Sequence, residues 1–289
     1  MKDLTKKFYD TLHKRKVLVA SHRGVFGGTI IENTIGSLLL ALDSGADIVE
    51  FDVCRSQDGK YYVYHDNEEL RTLGFNNNLH KFTSAEINQM TYLNRYGFKT
   101  SQKINTLEEV LLALKGKGLI NLDRTYHGND FTYMKEALDI VNTLDMLDEV
   151  VVKSPVKEVW LKGLSEYPHE VMYIPIVSKV EEVELVENYD LTVVGLEILF
   201  SSNDNPLINA DNINKWKKKN YALWVNTICI DEKYDMCAHH NDRHALLVNK
   251  DEAWGYLIDK GFNIIQTDFP MQLRKYLDEK IGGKNETRN

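Results

Sequence analysis

Two acidic side chains lie two residues apart in the apolar run 47–53 of the sequence. Alternate residues of a β-strand point to the same side, so Glu50 and Asp52 would share one face of a predicted strand. Adjacent carboxylates repel each other unless one is protonated or a cation lies between them. Asp123 ends another apolar run and supplies a third carboxylate. Oxygen ligands suit Mg²⁺ or Ca²⁺ better than Zn²⁺, so these three residues predict a hard-cation site.

Imidazole and cationic side chains follow other apolar runs. His22 and Arg23 close the first run, Lys153 closes the fourth, and His65 closes a short run after the second. Three carboxylates around one divalent cation leave a net negative charge, so a further anion binds only with help from cations such as Arg23 and Lys153. Two histidines beside a phosphorus atom are suited to general acid and base catalysis. The combination fits cleavage of a phosphodiester.

A regular fold must bring these residues together. Strands are predicted over 16–21, 47–53, 119–123, 149–153, 171–177, 191–199, 221–228 and 263–268. Helical patterns lie between them, over 34–43, 106–115, 133–144, 156–167, 179–188, 209–220 and 251–260. Eight strands that alternate with helices predict an α/β fold, a single (β/α)8 TIM barrel domain over residues 1–289. A doubly wound sheet is the alternative, but no glycine-rich dinucleotide turn follows an early strand.

One apolar run does not fit the alternation of strands and helices. The run 61–65 follows the second strand too closely for a parallel crossover, which needs roughly a dozen residues. Asp58-Gly59 is a hairpin-turn signal, so the segment of about 54–66 is predicted as a small β-hairpin arm after strand 2. This arm would carry His65 over the carboxyl end of the barrel, where barrel enzymes do their chemistry. A long rim loop is predicted at about 229–250.

The composition narrows the class of protein. The 289 residues include 43% hydrophobic and 27% charged residues, and a net charge of −8 argues against a nucleic-acid partner. Three cysteines cannot form a complete disulfide framework, which favours a reducing compartment. No signal peptide and no membrane span are recognisable, so the sequence predicts a cytoplasmic protein.

Several short motifs occur in an order that resembles one known family. They are SHRG at 21–24, ENT at 32–34, GADIVEFDV at 45–53, SQDG at 56–59, YHD at 64–66, INTLEEV at 104–110 and IIQTDFP at 264–270. Together they make the chain similar to the glycerophosphodiester phosphodiesterases, barrel phosphodiesterases of the phosphatidylinositol-phospholipase-C-like kind. The resemblance spans about residues 16–275, and the order of the motifs supports it more than any single motif does.

The resemblance implies an activity and roles for particular residues. It implies hydrolysis of glycerophosphodiesters, small-molecule substrates, to an alcohol and glycerol 3-phosphate with a divalent cation. By motif position, His22 and His65 resemble the acid/base pair, Arg23 the phosphate-binding arginine, and Glu50 and Asp52 two metal ligands. In many members the glycerol 2-hydroxyl attacks phosphorus first and gives a cyclic phosphate, which water then opens. Which histidine is the acid and which is the base stays open.

The chain departs from the family pattern on the third strand. The family usually has Glu-x-Lys there, whereas this chain has Asp123 in the ligand place and Thr125 in the place of the lysine. Lys153, at the next strand end, is the predicted substitute, and Arg124 is the alternative. Trp224 is predicted either to wall the substrate pocket or to pack in the core.

Asn33 is predicted either to bind phosphate or to cap a helix. The rim loop includes Asp242 and Arg243, either of which is predicted as a contact to the substrate head group.

Two other functions compete with the metal-dependent glycerophosphodiesterase. One is a phospholipase-D-like phosphodiesterase that acts on lysophospholipids and releases a cyclic phosphate. The other is a non-catalytic barrel that binds phosphodiesters. The sequence leaves open the head group, the choice between Mg²⁺ and Ca²⁺, and the oligomeric state.

Overall fold

A closed ring of parallel strands forms the centre of the molecule. The computed structural model describes residues 3–230 and 234–286. The strands in these ranges are β1 (Leu18–His22), β2 (Ile48–Arg55), β3 (Tyr61–Val63), β4 (Leu119–Asp123), β5 (Val150–Pro155), β6 (Met172–Val177), β7 (Gly195–Ile198), β8 (Ala222–Asn226) and β9 (Ile264–Thr267). All except β3 pair in parallel, and β1 pairs with both β2 and β9, which closes a ring of eight. The predicted TIM barrel is confirmed.

Helices surround the ring. Those described are α1 (Lys6–Arg15), α2 (Ile35–Asp43), α3 (Glu69–Thr72), α4 (Ser84–Ile87), α5 (Leu107–Leu114), α6 (Thr132–Thr143), α7 (Glu158–Ser165), α8 (Val180–Val186), α9 (Ala210–Lys218), α10 (Asp242–Leu247), α11 (Tyr256–Lys260) and α12 (Pro270–Glu286). Thr34 and Thr106 cap α2 and α5 through hydroxyl groups that accept backbone hydrogen bonds. None of the described helices combines the length and apolarity needed to cross a bilayer.

The barrel interior changes from apolar to polar along the strands. Its amino end is filled by Leu18, Ile48, Leu119, Val151, Ile264 and, from α1, Phe8 and Leu12. Helix α1, which the sequence analysis did not predict, therefore closes this end of the barrel. Towards the carboxyl end, β2 carries Glu50 and Asp52, and β4 carries Asn121 and Asp123. The register pairs Glu50 with Asn121 and Asp52 with Asp123, so acidic groups from two strands meet at one rim.

The predicted hairpin arm is present outside the ring. Strand β3 pairs antiparallel with the end of β2, with Val53 opposite Val63. Gly59 adopts a left-handed conformation (φ 89°) in the connecting turn, as a tight hairpin requires. The arm continues into short helices α3 and α4, which the sequence analysis did not predict. Ile31, Tyr62, Tyr64, Leu79, Ile87, Tyr92 and Ile104 form a separate apolar cluster beneath them.

The segment predicted as a rim loop at 229–250 is partly helical. Helix α10 occupies its second half, and a π-helical turn, Asp251–Gly255, leads directly into α11. Residues 231–233 of this predicted loop lie outside the described ranges. The helical pattern at 251–260 is confirmed, although its first turn is π-helical rather than α-helical.

Candidate active site

The three predicted metal ligands lie at the ends of two neighbouring strands. Glu50 and Asp52 of β2 are 1% and 3% exposed, and Asp123 of β4 lies directly beside Asp52 in the register. Burial and the neighbouring Asp52 and Asp123 carboxylates raise the pKa of Glu50 to about 8. A cation among the three carboxylates would relieve this repulsion.

The segment after β1 holds Asp52. The amide of Asn33 donates to Asp52 Oδ2 at 2.8 Å, and the Asp52 backbone N donates to Asn33 Oδ1 at 3.2 Å. Arg23 Nε lies 3.0 Å from Asp52 Oδ2, and the Arg23 backbone N donates to Glu50 Oε2 at 3.0 Å. Burial raises the pKa of Asp52, but Arg23, His65 and His22 outweigh it and lower the pKa below its usual value. Both histidines therefore act on one carboxylate.

Local backbone geometry accounts for these contacts. Arg23 (φ 53°) and Asn33 (φ 55°) are both left-handed, an uncommon conformation that concentrates at functional sites. Gly24 follows with φ 80°, and a Cβ there would lie 2.6 Å from the backbone of Ser37. The turn after β1 thus packs directly on α2. The helix cap is Thr34, so the cap predicted for Asn33 is wrong, and its predicted phosphate contact stays a prediction.

An ion-pair network extends outward from Arg23. Arg23 Nη1 donates to Glu32 Oε1 at 2.9 Å, and Arg71 binds both oxygens of Glu32 at 2.7 and 2.9 Å. Burial opposes ionisation of Glu32, but Arg71 and Arg23 lower its pKa. Glu68 lies 3.6 Å from Arg23 and also pairs with Arg71. The predicted phosphate-binding arginine is therefore held firmly in place, with its guanidinium charge partly balanced.

His22 is oriented by a carboxylate. Its Nδ1 lies 2.8 Å from Asp268 Oδ1, and a carboxylate accepts hydrogen bonds, so Nδ1 carries the proton and Nε2 is left for other partners. Burial lowers the pKa of His22, but Asp268 and Glu50 outweigh it and raise the pKa above its ordinary value. Because Asp268 follows β9, a direct neighbour of β1, the closure of the ring brings the pair together.

A second carboxyl group lies behind Asp268. Asp242 is 1% exposed and accepts hydrogen bonds from Thr227 Oγ1, Trp254 Nε1, Thr267 Oγ1 and the Asp268 backbone N, at 2.7 to 3.0 Å. Burial raises its pKa to about 7. With its oxygens engaged by buried donors, Asp242 ties α10 to the ends of β8 and β9. The predicted head-group contact for Asp242 does not fit this burial.

His65 is oriented by a backbone carbonyl, whereas a carboxylate orients His22. Its Nδ1 lies 2.6 Å from the carbonyl oxygen of Asp66, which can only accept, so Nδ1 again carries the proton. The Asp66 side chain accepts from Arg124 Nη2 at 2.5 Å and Nε at 3.1 Å. Arg124 follows β4 with φ 60°. This ion pair fastens the arm to the barrel and engages the Arg124 guanidinium, so Arg124 as the substitute for the missing lysine stays a prediction.

Lys153 lies inside the barrel with no exposed surface. Its Nζ is 2.8 Å from Glu197 Oε2, 3.0 Å from Gln266 Oε1 and 3.7 Å from Asp123 Oδ2. Burial lowers the pKa of Lys153, but Glu197 and Asp123 outweigh it and raise the pKa. Lys153 thus adds a positive charge to the patch, although direct phosphate contact requires exposure that this conformation does not give.

The Trp224 ring packs against the Lys153 ammonium inside the barrel. The Lys153 ammonium lies 4.3 Å from the centre of the Trp224 ring, and the indole N–H donates to Gln266 Oε1 at 3.1 Å. Trp224 is fully buried in the barrel interior, which favours core packing over the predicted pocket wall. Thr125 is also fully buried, and its hydroxyl has no hydrogen-bond partner among the described residues.

The predicted cation site is not preformed. Within residues 3–230 and 234–286, no three His, Cys, Asp or Glu side chains are arranged to hold a metal ion as they stand. The donors still fit a hard cation, because one oxygen of Glu50 and one of Asp52 accept no hydrogen bond from the described residues. The other Asp52 oxygen is shared by Asn33 and Arg23, so ligation requires small side-chain shifts.

The sequence analysis missed the roles of Asp268, Gln266 and Glu32. The strand alternation that paired Glu50 with Asp52 also places Gln266 and Asp268 on one face at the end of β9, so this signal was present in the sequence. Glu32 had no such signal, because its partner Arg71 lies 39 residues away on the arm.

Comparisons with known proteins agree with this fold. A glycerophosphodiester phosphodiesterase of Caldanaerobacter subterraneus subsp. tengcongensis is 34% identical over 110 residues, 37% of this chain and 45% of the relative. One of Bacillus altitudinis is 32% identical over 108 residues, 36% of this chain and 44% of the relative. The chain is similar in sequence to glycerophosphodiester phosphodiesterases. Each match spans less than half the length of the relative.

Solved structures extend the likeness of the fold to most of the chain. A glycerophosphoryl diester phosphodiesterase from Parabacteroides distasonis superimposes with a TM-score of 0.73 at 18% identity, over 92% of this chain and 86% of the other. An Oleispira antarctica phosphodiesterase in complex with its product sn-glycerol-3-phosphate gives 0.61 at 19% identity, over 90% and 96%. Residues 172–277 match a family described as a domain of unknown function, DUF4996.

Proposed function

We propose that this chain is an enzyme that hydrolyses glycerophosphodiesters to an alcohol and glycerol 3-phosphate. The observation that carries the proposal is the placement of both histidines beside the carboxylates. His22 lies opposite Glu50 in the strand register, and the backbone N of Tyr64, directly before His65, donates to the Asp52 carbonyl oxygen at 2.9 Å. Arg23, a guanidinium suited to phosphate, lies at the Asp52 carboxylate, 3.0 Å from Oδ2. Cleavage of a phosphodiester uses positive charge at the phosphate and two proton-transfer groups, and this set of side chains supplies both.

Each imidazole offers the same atom to the substrate. Because Nδ1 of His22 and Nδ1 of His65 are both engaged as donors, Nε2 is the nitrogen left to exchange protons. One Nε2 takes the proton of the glycerol 2-hydroxyl as its oxygen bonds to phosphorus, and the other delivers a proton to the departing alcohol oxygen, which leaves a cyclic phosphate. Water then opens the cyclic phosphate with the two roles reversed, and the product is glycerol 3-phosphate. Arg23 positions the phosphate, and Lys153 balances the carboxylate charge from inside the barrel.

Glu50, Asp52 and Asp123 would hold a divalent cation, Mg²⁺ or Ca²⁺. Such an ion supplies Lewis-acid stabilisation to the negative charge that develops at a phosphate oxygen. Because the pKa of Glu50 is raised to about 8, cation binding displaces a proton at neutral pH. Cation affinity should therefore weaken as the pH falls below about 8.

The free cysteine thiols are consistent with the reducing compartment expected from the sequence. Cys54, Cys229 and Cys237 are all unpaired with one another in the described structure. We propose the cytoplasm as the location, and fractionation of the producing cells tests it.

The decisive experiment measures glycerol 3-phosphate release from glycerophosphocholine, glycerophosphoethanolamine and glycerophosphoglycerol. Activity should appear with Mg²⁺ or Ca²⁺, vanish with chelator, and fall at least about 100-fold in Glu50→Gln. Glu136→Gln, a carboxylate on the outer side of the barrel that pairs with Arg55, is the matched control and should change little. Release that survives both chelator and Glu50→Gln contradicts the cation site. No release from any diester with any cation favours the non-catalytic barrel.

A further inference from the structure

A buried ammonium lies close to one of the proposed cation ligands. Asp123 and Lys153 each come one residue after the last registered pair of β4 and β5, so both side chains point into the barrel at one level. Asp123 Oδ1 accepts from the Arg124 backbone N at 2.6 Å, and Asp123 Oδ2 faces Lys153 Nζ at 3.7 Å. A cation that binds Asp123 through Oδ2 therefore competes with Lys153 for that oxygen.

Glu197 holds the ammonium away from Asp123. The 3.7 Å between Lys153 Nζ and Asp123 Oδ2 is too long for a hydrogen bond. Lys153 Nζ instead forms an ion pair with Glu197 Oε2 of β7 at 2.8 Å. Glu197 is 4% exposed, so this pair lies out of solvent. Of the two carboxylates, Glu197 is the one that Lys153 contacts.

Two uncharged groups hold the ammonium in the same place. Gln266 Oε1 accepts from Lys153 Nζ at 3.0 Å and from Trp224 Nε1 at 3.1 Å. The centre of the Trp224 ring lies 4.3 Å from Nζ, a favourable cation–π distance. Glu197, Trp224 and Gln266 come from β7, β8 and β9, whereas Asp123 comes from β4. Of these three partners, Glu197 alone matches the ammonium with an opposite charge.

Loss of the Glu197 charge would release Lys153. Removal of one member of a buried ion pair leaves an uncompensated charge in a medium of low dielectric, which favours any new partner of opposite sign. Lys153 has a flexible four-carbon side chain, and Asp123 Oδ2 is only 3.7 Å from its ammonium. The ammonium would then pair with Asp123 and occupy the oxygen that a cation needs.

We propose that Glu197 is a positioning residue, which holds Lys153 away from Asp123 and so keeps Asp123 free to bind the divalent cation. This inference rests on the proposed function, because it concerns the cation of that reaction. In this arrangement Lys153 offsets the negative charge of the carboxylates without taking up a ligand oxygen.

Calorimetric titration with Mg²⁺ and with Ca²⁺ tests the role of Glu197 without turnover. Glu197→Gln should weaken cation binding by at least about tenfold, the usual scale for a group that holds a metal ligand ready. Glu187→Gln is the matched control, since Glu187 pairs with Lys219 at 2.6 Å on the outside of the barrel, and the affinity should not change. An unchanged affinity in Glu197→Gln overturns the role of Glu197 alone. A wild-type chain that binds neither cation contradicts the cation site of the proposed function, and this inference with it.

A double variant separates competition by Lys153 from damage to the barrel. Glu197→Gln with Lys153→Met removes the ammonium together with its partner, so the double variant should recover most of the cation affinity that Glu197→Gln loses. A double variant that binds as weakly as Glu197→Gln contradicts the proposal, because the competing ammonium is then gone.

A crystal structure of cation-free Glu197→Gln separates direct competition from a long-range effect of charge. Lys153 Nζ should move from 3.7 Å to about 2.8 Å from Asp123 Oδ2, the length of a charge-assisted hydrogen bond. An ammonium that stays out of reach of Asp123 refutes the proposal. If Glu197→Gln does not fold, Glu197→Asp serves in its place, because it keeps the charge but withdraws the carboxylate from Nζ. Wild-type cation affinity and an unmoved ammonium in that variant would equally refute it.

Discussion

The two histidines of the candidate site are held by different kinds of structure. His22 ends β1 inside the ring, where Asp268 of the adjoining β9 segment fixes its ring at 2.8 Å. His65 lies outside the ring on the arm, and its Nδ1 is engaged only by the neighbouring Asp66 carbonyl among the described residues. The arm is fastened to the barrel by the pair of Asp66 and Arg124.

The difference implies that, in the proposed reaction, the two proton-transfer groups would depend on different interactions. The position of His22 follows from strand pairing and a buried carboxylate, which are hard to disturb without loss of the fold. The position of His65 depends on a partly exposed ion pair, and such pairs contribute little to global stability. Changes at the Asp66–Arg124 pair should therefore reduce activity while stability is retained.

Removal of either imidazole should have the largest effect. His22→Ala and His65→Ala should each lower kcat by roughly 10² to 10⁴, because each removes one proton-transfer group. Glycerol 3-phosphate release measures this, and His13→Ala, which changes an exposed side chain of α1 at the amino end of the barrel, is the control. A large loss from only one of the two variants would break the symmetry of their roles.

Asp268→Asn tests the barrel side of the comparison. Asp268 raises the pKa of His22, so its loss should lower that pKa and move the corresponding limb of the pH profile of kcat/KM to lower pH. The amide also removes the carboxylate that orients the imidazole, so kcat should fall about 100-fold. Asp10→Asn, which changes an exposed side chain of α1, is the control and should leave the profile in place. An unmoved limb would show that Asp268 does not set the charge of His22.

Arg124→Gln tests the arm side. It removes the ion pair to Asp66, and we expect kcat to fall roughly tenfold through misplacement of His65. The His22 limb of the pH profile should not move, and the melting temperature should change by less than about 2 °C. Arg55→Gln is the matched control, since Arg55 lies on the hairpin and pairs with Glu136 of α6 at 3.1 Å. A similar loss of activity in the control would point to the whole hairpin rather than to the Asp66 pair.

Asp242→Asn should have a modest effect, seen mainly in stability. The amide nitrogen of the variant cannot accept a hydrogen bond, so buried donors lose their partners. The free energy of unfolding, measured with denaturant, should therefore fall by about 1–3 kcal/mol. The pKa of Asp242 is raised from 3.8 to about 7, so the folded state holds a proton that the unfolded chain releases. This contribution is present in full below pH 3.8 and is lost as the pH rises through 7.

The amide of the Asp242→Asn variant does not titrate, so this part of the pH dependence should be absent from the variant. An unchanged dependence of stability on pH would assign the raised pKa to another group.

Local patterns in the chain predicted much of the fold. Apolar runs located all eight strands of the ring, because strands buried on both faces must be apolar. Their ends moved by a few residues: the strand predicted at 191–199 is only Gly195–Ile198. Helix α1 was missed because it is strongly polar except for the side chains that close the barrel. The short helices of the arm were missed because each is a single turn.

The residues of the candidate site also fall into those that local patterns predicted and those whose roles depend on tertiary packing. Strand alternation placed Glu50, Asp52 and Asp123 at one rim, and the shortness of the connection after β2 predicted the arm that carries His65. The roles of Lys153 and Trp224 depended on exposure, which the pattern of residues on a strand does not reveal. Both are fully buried, so each acts on the site from inside the barrel.

By itself, the order of residues determined which side chains face the barrel interior, because strand geometry alternates regardless of what surrounds the strand. Only the closed ring decided that Asp268 meets His22 across 246 residues of chain, and that Arg71 on the arm meets Glu32. Contacts between residues far apart in the chain depend on how the elements pack, and the same side chains on an open sheet would not meet.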